Sequence, residues 1–187
     1  MIASTLERPA RRDLALQWVA VGVGFGLLVV RSSASSLAAA PMILLALYAA
    51  LAWMSIEART GPGAKGSTWP VLVVGMVAVA GAAMVSGSPP PGPRSSWTIP
   101  LALAAALSEE TFFRGLLYSA LSRAGVAVAV VGTAVAFAAL HVPAYGGAVF
   151  WVDLGAGLLL SWQRWASGSW RIPAATHAVA NLLAVMR

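Results

Sequence analysis

The sequence predicts an all-α fold, a polytopic transmembrane helical bundle of about seven spans, and three observations predict it. Hydrophobic residues make up 59% of the 187 and charged residues only 10%, far below the roughly 25% charge of an average soluble domain. Mean hydropathy is +0.81. Apolar blocks recur along the whole length and approach the roughly 20 residues that a helix needs to cross a bilayer. The chain holds no cysteine, which excludes disulfides, thiolate metal sites and cysteine nucleophiles. Any chemistry must come from carboxylates, histidines, hydroxyls or amides. The net charge of +6 is spread singly between apolar blocks and forms no patch, so it argues for membrane topology and against nucleic acid as a partner.

The expected spans run from Leu14 to Val30, Leu37 to Ile56, Trp69 to Val85, Ile99 to Leu121, Val126 to His141, Ala148 to Trp162 and Ile172 to Met186. The last two are short enough to tilt or pair as a hairpin. Linkers are expected where turn residues gather: Arg31 to Ser36, Gly61 to Gly63, and Ser86 to Ser96 with its proline run. The third linker divides the chain into an N-terminal membrane subdomain of three spans, residues 1–96, and a core of four spans, residues 97–187. Arg8, Arg11 and Arg12 ahead of the first span resemble a secretory signal, but the long apolar run and the immediate second span fit a retained helix. With the N-terminus inside, Arg8, Arg11, Arg12, Arg59, Lys65, Arg123, Arg164 and Arg171 are cytoplasmic, against Arg31, Arg94 and Arg187 outside, the bias that sets orientation. The eight tryptophans mostly sit near span ends, as an interfacial belt does.

Polar residues concentrate in the second half. Of six acidic residues, Glu7, Asp13 and Glu57 lie at span ends, and Asp153 near the start of the sixth span reads as interfacial. Glu109 and Glu110 fall in the middle of the fourth span with Arg114 close behind, where each buried charge costs about 2.5 to 3.5 kcal/mol on insertion scales. Glu110 and Arg114 are four apart, stacked for an ion pair with the acid N-terminal to the base. Glu109 is rotated about 100° away and free to face another helix, where a carboxylate in an apolar chamber can serve as a general base. The competing reading is that all three charges form an ion network joining helices. Both histidines of the chain, His141 and His177, lie in the same half. Phe137 is placed four residues before His141 to wall its imidazole, and Asn181 four after His177, so that the last pair can donate to an oxyanion or simply bridge helices.

The ordered set Glu109-Glu110-Thr-Phe-Phe-Arg114-Gly115, Phe137-Ala-Ala-Leu-His141 and His177-Ala-Val-Ala-Asn181 resembles the three motifs of the CPBP intramembrane proteases, also called the CAAX protease and bacteriocin-processing or Abi family. The likeness covers Trp97 to Arg187, about half the chain. It implies an intramembrane endopeptidase acting on membrane-anchored protein or peptide substrates in contact with membrane lipid. It further implies an integral protein of the cytoplasmic membrane of a prokaryote. On this resemblance Glu109 and His141 activate the water, His177 and Asn181 stabilise the oxyanion, and Glu110, Arg114 and Phe137 support them.

Members of the family are often named metalloproteases, and a zinc ion, if present, would take Glu109, His141 and His177 as ligands. The metal-free reading is preferred, because Asn181 is a poor zinc ligand and a sensible oxyanion donor. Two alternatives stand beside the protease: a non-catalytic scaffold or immunity protein, and a proton-coupled transporter, which would show inverted repeats that this sequence lacks. One tension remains within this reading. Depth along the expected spans puts His141 near the outer end of the fifth helix and His177 near the inner end of the seventh, too far apart for one site. A boundary must therefore shift, either a fifth helix starting before Arg123 or a seventh beginning near Ser167.

Overall fold

The structure, a computed structural model, describes residues 11–34, 40–56, 63, 67–85 and 95–186. Among these, seven helices follow one another: α1 (Arg11–Ala34), α2 (Ala40–Ile56), α3 (Thr68–Val85), α4, α5 (Val126–Tyr145), α6 (Val149–Ser167) and α7 (Arg171–Met186). α4 is composite. An α-helix over Thr98–Glu110 runs into a π-helical stretch at Thr111–Leu117 and finishes as one α-turn at Tyr118–Leu121. A 3₁₀ turn at Ser122–Ala124 then leads into Gly125, whose φ of +123° is open to glycine and reverses the chain into α5. Gly168, at φ +68°, ends α6 in the left-handed cap that a side chain would disfavour.

The expected all-α membrane bundle is what the chain forms. α1, α3 and α5 are each long and apolar enough to cross a membrane, over Leu14–Arg31, Thr68–Val85 and Val126–Tyr145, and α2 carries a shorter apolar run at Ala40–Ser55. Burial is inverted relative to a soluble protein. Val19, Val77, Met84, Val131, Trp151 and Val152 are exposed, whereas Glu109, Glu110, Arg114, Thr133, Ser161, Gln163, Arg164 and Thr176 are buried. Lipid solvates the apolar outside, and the polar groups must then find one another inside. Trp53, Trp69, Trp97, Trp151 and Trp165, near helix ends, are exposed to the surroundings.

Three boundaries differ from expectation. α1 continues to Ala34, so Arg31 is in its last turn and not in a linker. α5 begins at Val126 as expected but runs through Pro143 to Tyr145, and α6 extends to Ser167 before α7 starts at Arg171. Neither anticipated repair occurs, yet the conflict over depth disappears. His141 now lies a full turn inside its helix, and Phe137 one turn before it touches both histidine rings. The expected linkers at Gly61–Gly63 and Ser86–Ser96 fall largely outside the described residues. So do Glu7, Arg8, Glu57, Arg59, Lys65, Arg94 and Arg187, and the side chains of Arg11, Arg12 and Asp13.

Small residues set the helix approaches. A Cβ on Gly24 would overlap the Phe112 ring, so α1 lies directly on the π-helical stretch of α4. There Val21, Leu28, Leu51, Phe112, Phe113, Leu116, Leu117 and Phe137 form a core, with Phe25, Phe112 and Phe113 meeting edge to face. α5 and α6 are the most intimately packed pair, because a Cβ on Gly157 would stand only 3.0 Å from the Ala134 backbone, closer than ordinary contact, and Thr133 and Ser161 share a 2.9 Å hydrogen bond across them. On the other side Gln163 donates to the Val71 carbonyl at 2.9 Å and to Thr176 Oγ1 at 3.0 Å, tying α3, α6 and α7 together. Gly75 makes room for this knot, since a Cβ there would collide with Gln163 Nε2 and Thr176 Oγ1. Gly75→Val is therefore expected to lose about 1 to 3 kcal/mol, read as a lower thermal midpoint in detergent. Gly81→Val, on the same helix with nothing within 4 Å, is the control and should leave the midpoint unchanged.

Candidate functional site

The site is built around the junction in α4 where α-helix gives way to π-helix, a geometry that turns successive side chains toward different neighbours. Glu109 and Glu110, at the end of the α-helical part, are both buried. Glu110 faces inward. Its Oε1 accepts from Arg114 Nη1 at 2.8 Å and is bonded to His177 Nδ1 at 2.9 Å. Arg114 also donates to the Gly157 carbonyl at 3.0 Å, lies 4.8 Å over the Phe137 ring, and lends its own carbonyl to Arg164 Nε at 2.9 Å. The i,i+4 pair expected from spacing is thus formed, and it ties α4 to α6 and α7.

Glu109 faces the other way. Its Oε1 pairs with Arg31 Nη1 from the last turn of α1, and its Oε2 lies 3.9 Å from His141 Nε2, beyond direct hydrogen-bond reach but within reach of one shared water. The other imidazole nitrogen, Nδ1, is 2.9 Å from the Phe137 carbonyl and 3.5 Å from Asp153 Oδ2. Both neighbours accept only, so the network assigns the proton to Nδ1 and leaves Nε2 with its lone pair toward Glu109.

Phe137 is the hub. Its ring is 4.7 Å from His141, 5.7 Å from His177 and 5.4 Å from Phe113, centroid to centroid. Asn181 Nδ2 donates to the Ala102 carbonyl of α4 at 3.0 Å. It does bridge helices, and its second amide hydrogen remains for another acceptor. Glu109, His141, His177 and Asn181 all line one cavity of about 660 Å³ between α1, α2, α4, α5 and α7, with Arg31 and Tyr48 on the same wall. A second, apolar cleft of about 420 Å³, between α1 and α5, shares Arg31, Pro143 and Ala144 with it.

Two residues at the site were read differently from sequence. Arg31, assigned to a linker and to topology, pairs with Glu109. Asp153, taken as interfacial, approaches His141. The signal for both was scarcity: in a chain with six acidic residues, any charge within a span's reach of the core needs a partner. The zinc set behaves otherwise. Among the described residues no three histidine or carboxylate groups gather as metal ligands. Glu109 Oε1 is held by Arg31, and the Nδ1 atoms of both histidines are engaged within the protein, which leaves Glu109 Oε2 and the two Nε2 atoms as the positions from which these residues would hold a zinc ion.

Residues 91–183 match the family model of the type II CAAX prenyl endopeptidases, Rce1-like. No curated protein and no solved structure matches the chain. The matched segment contains Glu109, Glu110, Arg114, Phe137, His141, His177 and Asn181. With a bundle built for lipid around a charged cavity, and those motifs on its walls, the chain belongs through its C-terminal half to the CAAX protease family of intramembrane proteases.

Proposed function

We propose that this protein is an intramembrane endopeptidase that hydrolyses peptide bonds of membrane-associated substrates with a water activated by Glu109 and His141, and without a metal. The observation that carries this reading is the pair of acceptors, Glu109 Oε2 and His141 Nε2, set 3.9 Å apart on the cavity wall. One water between them can donate a hydrogen to each and present its lone pair to a carbonyl carbon. As the C–O bond forms, the proton passes to Glu109 or His141, and the same group then returns it to the departing amine. The tetrahedral oxygen is met by His177 and Asn181, which line the same cavity from α7. Because His177 Nδ1 is committed to Glu110, its Nε2 donates only as the imidazolium, and the Glu110 carboxylate favours that form. Residues 1–96 act as a membrane subdomain that closes the cavity, residues 97–187 as the catalytic core, and the N-terminus faces the cytoplasm of a prokaryotic cell.

The test uses the full chain in lipid vesicles with a membrane-anchored peptide. Cleavage should generate one new amino terminus and persist after a strong chelator. Activity that disappears with the chelator and returns with zinc would refute the metal-free mechanism, and absence of any cleavage would refute the protease. Asp153 acts here as a positioning residue that holds His141 with its proton on Nδ1. Asp153→Asn should lower kcat roughly tenfold, the scale of losing a partner that orients a functional imidazole. KM should stay unchanged and the pH profile should shift, which a purely structural loss would not produce.

A further inference from the structure

Among the described residues, Arg31 is the only arginine or lysine on the wall of the 660 Å³ cavity. It comes from α1, outside the segment that the family model matches. Its position follows from packing. Val21, Gly24, Leu28 and Arg31 recur on one face of α1, Gly24 seats that face on Phe112, and Arg31 is delivered two turns later to Glu109. There it occupies Glu109 Oε1 while Oε2 turns to His141. Arg31 also lies on the partition between the two cavities, lining both. Its guanidinium can therefore turn toward either space without crossing a packed core.

This placement is awkward for a general base left alone and sensible for one waiting for substrate. A guanidinium on Oε1 competes with water for the carboxylate's lone pairs. A second carboxylate brought into the chamber is repelled by Glu109 unless a cation meets it, and the flat, forked guanidinium suits a carboxylate on two parallel N–H bonds. We propose that Arg31 is the carboxylate receptor of the site: it holds Glu109 in the empty enzyme and exchanges it for a carboxylate of the substrate peptide, which frees Glu109 for the water. This rests on the proposed proteolysis and deepens it, since it makes a free carboxylate close to the cleaved bond a requirement of the substrate. The carboxylate is either the chain terminus or an acidic side chain.

Three membrane-anchored peptides separate these sources: one ending in a free acid, one in a carboxamide, and one in a carboxamide after a final glutamate. The wild-type full chain in vesicles should favour the free acid, the glutamate peptide, or both over the plain amide by about tenfold in kcat/KM, the scale of a hydrogen-bonded charge pair. The peptide favoured names the source. In Arg31→Ala and in Arg31→Gln, which keeps a polar but shorter and uncharged side chain, the ratio should fall to near one, through KM for the favoured peptide. Arg31→Lys should retain part of it. A merely structural Arg31 would lower every peptide in proportion and leave the ratio intact, which overturns the proposal. So does a wild-type enzyme that cuts all three equally, although the protease reading survives that result. A wild-type chain that cuts none overturns both.

Discussion

Glu109→Gln is expected to abolish turnover by a factor of about 10² to 10⁴, the range of a general base in the transition state, with the protein still folded and inserted. Glutamine keeps the length of the side chain and an acceptor for Arg31 Nη1, so the contact between α1 and α4 survives. What it cannot do is take a proton from water. His141→Ala should fall by a similar factor. Because the two groups hold the same water, the double variant should be hardly slower than either single one, the signature of residues that act as a unit. Single-turnover cleavage in vesicles reads the effect, and size-exclusion behaviour in detergent shows that the fold is intact. A Glu109→Gln enzyme with more than about a tenth of wild-type activity would remove this carboxylate from the chemistry.

Arg114→Met should do the opposite: destroy the fold first and activity only as a consequence. Arg114 is fully buried, and three of its contacts are structural, to Glu110, to the Gly157 carbonyl and to the Phe137 face. Methionine fills much of the volume but leaves the Glu110 carboxylate buried without its guanidinium, a loss of about 3 to 5 kcal/mol. Little folded protein should be recovered. The double variant Glu110→Gln/Arg114→Met, with no charge stranded, should recover most of the thermal midpoint, since a buried pair replaced as a whole is often close to neutral. It should not recover activity, because His177 Nδ1 then lacks the carboxylate that favours its donor form. An unchanged midpoint in Arg114→Met would show that the pair is not what joins α4 to α6.

The contrast between these two variants was partly legible beforehand. Residues Glu109 and Glu110 are adjacent, and a helix separates neighbours by about 100°, so one pairs along its own helix with Arg114 while the other faces away. The direction in which Glu109 would face, and its partner, were not legible. Depth along the spans was misjudged for a simple reason: α5 passes through Pro143 without ending there. A proline removes one backbone donor, and within the last turn of a helix that loss can be tolerated. With that turn added, His141 lies within the helix, one turn after Phe137, and its Nε2 comes to 3.9 Å from Glu109 Oε2.

Composition alone determined that the solvent is lipid, because so many apolar residues have no polar surface to hide behind. Local spacing determined the helices and the Glu110–Arg114 pair, since those interactions lie within one turn of one element. Only the tertiary structure decided that Arg31 and Asp153 belong to the site. Arg31 and Glu109 are 78 positions apart in the chain. Their meeting depends on the rotation of α1 about its axis, which is set by Gly24 seating on Phe112, a close approach that no pattern along a single helix encodes.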